Sequence, residues 1–226
     1  MNRLSLPLGL LALTASLAAC AGSKANNDAK GTSPTPTPTV AAKVFTEAQA
    51  KSALLVASDV PSGYQVDSEY THDDLPGGCP AYDAAVAAQT SAAPTWVVAS
   101  YGKGDTDFSV DEEIAVFTDA AEAAATLQTL TSAYATCGEW KVSAGGLTGT
   151  IKITPSSAPS LGEGAQKYLF EGAAGGDSFK GEQYVVQVGN ALVYVDEGGG
   201  SDFHDDPALD LPGLTATLAA RLNQQA

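Results

Sequence analysis

Two short segments of the chain combine a histidine with carboxylates, the residue types that bind divalent metal ions. They are His72-Asp73-Asp74 and His204-Asp205-Asp206. Imidazole together with carboxylates could hold zinc or a harder divalent ion. Nothing in the sequence brings the two segments together, and such tripeptides are common in the loops of acidic proteins. We therefore predict no metal site and no cofactor.

A third acidic segment imitates the beginning of a calcium-binding loop. Aspartates and a serine alternate with other residues from 105 to 111. However, Val110 occupies the position where such a loop needs glycine, and Val116 stands in place of the glutamate at the twelfth position. Alternation along the edge of a strand explains the segment better than calcium binding does.

Ser178 is a candidate nucleophile. Gly176-Asp177-Ser178-Phe179 is similar to the G-D-S start of a lipase and esterase family, and His204 follows it beside acidic residues. That family keeps its serine near the start of the domain, whereas Ser178 lies far along this chain. The segment also lacks the last glycine of the G-x-S-x-G turn. We therefore predict a surface turn here and no catalytic residues. An envelope hydrolase remains a less favoured hypothesis than a non-catalytic function.

Cys20 directly follows an apolar segment at the N-terminus. Arg3 supplies a positive charge, and residues 4–17 carry none. This segment is shorter than the roughly 20 apolar residues that span a bilayer, which is typical of a signal peptide. Residues 17–20 (Leu-Ala-Ala-Cys) resemble the bacterial lipobox. The resemblance implies that the Cys20 thiol carries a diacylglycerol, that cleavage occurs just before it, and that acyl chains such as palmitate anchor the protein. The alternative is an ordinary secretory signal with a cysteine nearby by chance.

The chain therefore divides into three parts. Residues 1–19 are the signal peptide, 20–43 the lipidated N-terminus with a tether, and 44–226 a single extracytoplasmic domain. Threonine and proline alternate at 32–39, which favours an extended, semi-rigid spacer. Two acyl chains hold a protein to a membrane stably, whereas one alone does not. We expect a cell-membrane lipoprotein on the extracytoplasmic side.

The chain has three cysteines, an odd number that leaves one to explain in an exported protein. If Cys20 carries lipid, Cys79 and Cys137 remain as an even pair in a compartment where disulfides persist. We therefore expect a Cys79–Cys137 disulfide. The alternative is two buried, reduced cysteines.

The charge of the domain limits its partners. Residues 44–226 hold 25 acidic residues and seven basic ones. Such a surface repels phosphate backbones, which argues against nucleic-acid binding. It also repels anionic lipid headgroups, so that the anchor must provide the membrane attachment. We predict no transmembrane helix in this part.

The hydrophobic pattern predicts a mixed domain. Helices are expected from Thr46, over 80–88, over 119–137 and at the C-terminus. Strands are expected near 64–69, 95–101, 108–117, 140–144, 149–154, 165–171, 183–188 and 191–196. Hairpin-length connections indicate an α+β fold, in which helices pack on an antiparallel-rich sheet that carries one disulfide.

Three elements have the clearest signals. The helix over 119–137 shows an apolar stripe at helical spacing. The strand over 108–117 alternates apolar and polar residues, which predicts that one face is buried and the other exposed. Gly189-Asn190 suits a hairpin turn of type II′ or I′ between the last two strands.

Trp96 and Trp140 are the two tryptophans of the chain. Each lies at the predicted beginning of a strand, where packing in the core is the ordinary expectation. A role in a ligand cleft is the alternative, and these two residues are our candidates for ligand binding.

Several segments of the chain form a recognisable set. They are Leu54-Leu55-x-Ala57-x-Asp59-Val60-Pro61-x-Gly63-Tyr64, Cys79, Ala135-Thr136-Cys137-Gly138, Pro159-x-Leu161-Gly162-Glu163 and Val188-Gly189-Asn190. Together they resemble actinobacterial exported lipoproteins that carry a PknH-like extracellular sensor domain, and the likeness covers roughly residues 45–224. The resemblance implies a sheet with a ligand cleft, braced by two disulfides in the family, of which this chain can form only one.

These observations predict a membrane-anchored lipoprotein whose non-catalytic extracytoplasmic domain senses or binds a small ligand of the cell envelope. The alternative is an accessory or structural envelope lipoprotein that docks a partner protein. A deep apolar cleft near the tryptophans would favour the first, and a flat apolar patch would favour the second.

Overall fold

A computed structural model describes residues 43–68, 77–93, 95–104, 108–144, 147–158, 161, 163–174, 177–198 and 208–226. The predicted signal peptide, Cys20 and the Thr-Pro tether lie outside these residues. The described part of the chain forms four helices and one eight-stranded sheet. The helices are α1 (Glu47–Ala53), α2 (Pro80–Ala92), α3 (Ala120–Cys137) and α4 (Leu211–Gln224).

The strands are β1 (Tyr64–Val66), β2 (Thr95–Lys103), β3 (Ser109–Val116), β4 (Glu139–Ala144), β5 (Leu147–Ser156), β6 (Glu163–Ala174), β7 (Asp177–Val188) and β8 (Ala191–Gly198). Their order in the sheet is β1-β2-β3-β8-β7-β6-β5-β4, and all neighbours are antiparallel. The predicted α+β fold with an antiparallel sheet is confirmed.

Helix α3 carries the chain from the middle of the sheet to its far edge. It follows β3 and leads into β4, five places away in the strand order. A helix of 18 residues is about 27 Å long, and five strand spacings amount to about 24 Å. The length of α3 therefore matches the distance that it must cross. Asp119 caps its first turn, and Gly138 ends it with a positive φ of 59°.

Helices cover both faces of the sheet. One core lies on the side of α1 and α4, where Leu211, Leu214, Leu218 and Leu222 are buried as predicted. The other lies on the side of α2 and α3, and it contains the predicted apolar stripe of α3. The Cys79–Cys137 disulfide is present, with 5.9 Å between the two Cα atoms. It joins the start of α2 to the end of α3.

The turn between β7 and β8 also holds the beginning of the domain. Gly189 has a φ of +55°, and a Cβ there would collide with the carbonyl oxygen of Lys43. Asn190 does not have a positive φ, which excludes the type I′ turn and fits type II′. The buried Asn190 side chain accepts a hydrogen bond from the Phe45 amide and donates to the carbonyl oxygens of Phe45 and Phe117.

Two local predictions were wrong. Every residue of β3 from Val110 onwards is buried, because the strand lies inside the sheet and is covered on both faces, so its polar positions do not face solvent. The turn predicted at Ser178 is instead the beginning of β7, where Ser178 pairs with Ala173 of β6. Pairing with β6 extends β7 towards its N-terminus, beyond the apolar residues from which the strand was predicted.

Candidate functional site

Three consecutive acidic residues lie in the middle of β3. Asp111, Glu112 and Glu113 are only 9%, 0% and 7% exposed. Carboxyl groups are rarely buried to this degree unless they are paired or hydrogen-bonded. Since side chains alternate along a strand, Glu112 faces α1 and α4, whereas Asp111 and Glu113 face the side of α2 and α3.

Asp111 and Asp196 form a like-charged cross-strand pair. The register of β3 and β8 places them directly opposite each other. Residues opposed in this way have Cβ atoms about 4.5–5.5 Å apart, and like charges there destabilise the sheet. Glu113 lies on the same face, opposite Tyr194. The sheet therefore gathers three carboxyl groups on one face, which we call the β3–β8 acidic site (Asp111, Glu113 and Asp196).

One oxygen of this site lacks a hydrogen bond. Asp111 Oδ2 accepts from the Ser109 hydroxyl at 2.9 Å, and the Ser100 hydroxyl also donates to the Asp111 carboxyl. In contrast, Asp111 Oδ1 is buried and has no hydrogen-bond partner. A buried polar atom without a partner costs free energy, about 1–3 kcal/mol. The position therefore suits a donor or a positive charge supplied from elsewhere.

The pKa values of Asp111 and Asp196 also indicate that negative charge is unfavourable at this site. Burial raises the pKa of Asp111, against the lowering effect of the hydrogen bonds from Ser100 and Ser109, and nearby Glu113 raises it further. Burial also raises the pKa of Asp196 well above its usual range, and the charges of Asp111 and Glu113 add to this. The Asp196 carboxyl is closely surrounded by protein, although the residue keeps part of its surface exposed.

Aromatic residues border the acidic site. Trp96 in β2 is half-buried, and its ring lies 5.8 Å from that of Tyr194. The buried Gln89 of α2 donates to the Tyr194 hydroxyl. Helix α2 is thus joined to β8 through Tyr194, two residues from Asp196. An aromatic face beside carboxylates is an arrangement that binds organic cations.

The two tryptophan candidates lie in different surroundings. Both lie near the beginning of a strand, as predicted, and each is at its second position. Trp140 is 6% exposed and packs against the Tyr82 ring at 5.5 Å, inside the core under α2 and α3. Trp96 is partly exposed, beside Tyr194. Trp96 and Trp140 do not line a common cleft, since β2 and β4 are far apart in the strand order. Ligand binding by either residue stays a prediction.

An open groove runs along α2. It has a volume of about 560 Å³. Its described lining consists of Gly77, Tyr82, Asp83, Val86, Ala87, Thr90 and Ser91. The groove combines small, apolar and hydroxyl-bearing residues with a single carboxylate.

The other predicted chemistry lies largely beyond the described residues. His72, His204 and the alternating aspartates at 105 and 107 are outside them, so the hydrolase reading is untested. Within the described ranges, no group of three or more His, Cys, Asp or Glu residues is arranged to hold a metal ion. No helix among the described residues is long and apolar enough to cross a membrane.

Comparison with known proteins shows the fold. No family model and no curated protein sequence matches the chain. The extracellular domain of PknH from Mycobacterium tuberculosis is similar in structure, with a TM-score of 0.59 and 15% identity over 80% of this chain and 98% of that one. The ortholog of Rv0999 from Mycobacterium smegmatis has a TM-score of 0.38 and 12% identity over 80% of this chain and 97% of that one. The chain therefore has a PknH-like fold, as the resemblance predicted.

Sequence reasoning missed the residues that define the acidic site. Asp196 ends the strand predicted over 191–196 and lies two residues before the end of β8, and Asp111 lies inside β3. The signal was present as three consecutive acids inside an apolar strand, since such a run puts at least one carboxyl on each face. The pairing of Asp111 with Asp196 could not be predicted from the sequence, because it depends on β8 lying beside β3 in the sheet.

Proposed function

We propose that this chain is a lipid-anchored extracytoplasmic protein whose non-catalytic domain binds a small ligand at the β3–β8 acidic site. The observation that carries the proposal is Asp111 Oδ1, which is buried without a hydrogen-bond partner beside a second carboxyl in register with it. A ligand that supplies the missing donor would remove the cost of the unpaired oxygen and of the like charges together.

The ligand that fits this chemistry carries a protonated amine. An ammonium group has three donors and a positive charge, so it can satisfy Asp111 and Asp196 at once. Tyr194, which lies opposite Glu113, adds an aromatic ring on the same face, with the Trp96 ring next to it, and such rings attract organic cations. Asp196 is the partly exposed carboxyl of the site and gives the approach from solvent.

The proposal includes the location of the protein on the outer side of the cell membrane. It is supported by the lipobox-like sequence at Cys20, by the Thr-Pro tether and by the fold that the domain shares with the extracellular domain of PknH. In this account, Cys20 carries the diacylglycerol anchor, and the tether presents the acidic domain on the outer side of the cell membrane. Signalling would then need another protein.

The groove along α2 favours a second function, the docking of a partner protein. The groove is open along one side of the helix and lies on the same element that holds Tyr194 through Gln89. A partner bound there would contact α2 without entering the acidic site.

Mass spectrometry of the protein purified from its own cells tests these functions. We expect an amine-bearing small molecule to co-purify with the full chain and to be lost from an Asp111→Asn variant. Glu139→Gln, an exposed position on the far edge strand, is the matched control. If no small molecule is found under several growth conditions, the ligand-binding function fails. A stoichiometric protein that the Asp111→Asn variant retains would favour docking instead.

A further inference from the structure

Glu112 is the third buried acid of β3, and it lies on the opposite face from the acidic site. It is 0% exposed. Both of its carboxyl oxygens receive the backbone N–H of Leu55, at 2.9 Å for Oε1 and 3.1 Å for Oε2. Leu55 follows directly after Leu54, the C-cap residue of α1. Glu112 thus holds the chain at the point where it leaves the helix.

The segment 54–60 is fastened to three parts of the domain at this point. The Tyr101 hydroxyl of β2 donates to the Leu55 carbonyl oxygen at 2.6 Å. From α4, Arg221 donates to the Leu54 carbonyl oxygen at 3.1 Å and pairs with Asp59 at 2.7 Å. Glu112 provides the remaining bond, to the Leu55 amide. These contacts form one network, which we call the Glu112 network (Leu54, Leu55, Asp59, Tyr101, Glu112 and Arg221).

The network does not balance a negative charge on Glu112. A carboxylate accepts up to four hydrogen bonds, yet the structure shows one N–H shared between its two oxygens. Arg221 is the cation whose charge lowers the pKa of Glu112, and two of its donors are directed to Leu54 and Asp59. A neutral carboxyl still accepts from Leu55 through one oxygen, without the cost of a buried charge.

The ionisable groups around Glu112 are few. Asp59 comes from the segment itself, Arg221 from α4 and Tyr101 from β2. On the same face, β8 contributes Glu197 beyond Val195, and β7 contributes Tyr184. Burial raises the pKa of Tyr101 to about 12 and that of Tyr184 above its usual value, so both stay neutral. Among these groups Arg221 alone favours ionisation of Glu112 by its charge.

We propose that Glu112 is a proton-controlled latch, which holds segment 54–60 closed against the sheet when protonated and releases it when ionised. This inference goes beyond ligand binding at the acidic site, which lies on the other face of β3. Burial raises the pKa of Glu112 to about 8, against the lowering effects of the Leu55 hydrogen bond and of Arg221. Glu112 therefore keeps its proton near neutral pH as long as the segment is closed.

The direction of the pH effect follows from linkage. Opening the segment would hydrate Glu112 and return its pKa towards the ordinary glutamate value of 4.5. The closed state then binds the proton more tightly than the open state, so closure is strongest below 4.5 and weakens as the pH rises towards 8. Within that window, the opening constant should increase by up to about tenfold for each pH unit, and it should level off at higher pH.

Two measurements on the full chain in detergent test the latch. The ¹³C shift of the Glu112 carboxyl should titrate near pH 8, and a midpoint in the ordinary glutamate range would overturn the proposal. In parallel, the protection of the Leu55 amide from hydrogen exchange, corrected for intrinsic exchange, should fall about 100-fold between about pH 6 and about pH 9. Glu112→Gln keeps an acceptor for Leu55 but cannot ionise, and its protection should not vary over this range. Equal profiles in the two proteins would contradict the latch. If the variant does not fold, the carboxyl titration decides alone.

Discussion

Asn190 and Phe45 are joined by two hydrogen bonds across 145 residues of sequence. The Phe45 amide donates to Asn190 Oδ1 at 2.7 Å, and Asn190 Nδ2 donates to the Phe45 carbonyl oxygen at 3.3 Å. Nδ2 also reaches the Phe117 carbonyl oxygen, which follows β3. The buried Asn190 side chain therefore holds the N-terminal start of the domain against the central strands.

We expect Asn190→Asp to destabilise the fold although the two side chains have the same shape. The new oxygen would face the carbonyl oxygens of Phe45 and Phe117 and leave both without a donor, at a cost of about 2–4 kcal/mol. Urea unfolding at neutral pH measures this loss. Asn223→Asp is the matched control, because Asn223 is exposed and its Oδ1 accepts from Lys43; it should change stability by less than about 0.5 kcal/mol. Equal losses in the two variants would contradict the role of Asn190.

The Cys79–Cys137 disulfide should be a major source of stability. It closes a separation of 58 residues, for which the chain-entropy model gives roughly 4 kcal/mol and measured cases often give less. We expect Cys79→Ser to lower the free energy of unfolding by about 2–4 kcal/mol. Reductant should destabilise the wild type by a similar amount and leave the variant unchanged. Peptide mapping that finds two free thiols in the exported protein would refute the bond.

The acidic pair predicts that stability without ligand decreases as the pH rises. The folded pKa of Asp196 is raised well above 3.8, so the folded state retains a proton that the unfolded chain releases. The contribution is complete below 3.8 and is lost as the pH rises through the folded pKa. Asp196→Asn removes the ionisation and should be more stable than the wild type at high pH, with a smaller difference at low pH. Denaturant midpoints that separate only at low pH would show the opposite sign.

In the proposed function, lipid attachment depends on one thiol, that of Cys20. Cys20→Ala should leave the precursor uncleaved and without lipid, because the alkylated atom is absent. Metabolic labelling with a radioactive or alkyne-tagged fatty acid measures this directly. The Cys79→Ser variant is the control and should be labelled like the wild type. A Cys20→Ala protein that still carries the label would eliminate the anchor.

Much of the fold could be predicted from the sequence because its signals are local. The helix start at Thr46, the stripe of α3 and the Gly189 turn all depend on residues close together in the chain, and each is present. The disulfide followed from counting cysteines. These features need no knowledge of which strands lie side by side.

The acidic site and the latch could not be predicted in the same way. Alternation in β3 indicated a half-exposed strand, since polar positions usually face water. Whether they do depends on helices that pack on both faces, which is decided by distant segments. Glu112 meets Leu55 across 57 residues, and Asp111 meets Asp196 through strand order alone. Buried carboxyls violate local preference, and such violations concentrate at functional sites.

Calorimetric titration of the purified chain with spermidine tests the central claim most directly. The wild type and the Glu139→Gln control should bind with a similar dissociation constant. Asp111→Asn should weaken binding by about 10-fold or more, because one of the two facing charges is removed and a hydrogen bond to a charged group is worth about 1.5–3 kcal/mol. A parallel titration with calcium chloride shows whether charge alone suffices. Binding of spermidine that is equal in the wild type and Asp111→Asn, or absent from the wild type at millimolar amine, would contradict an amine-binding site at Asp111 and Asp196.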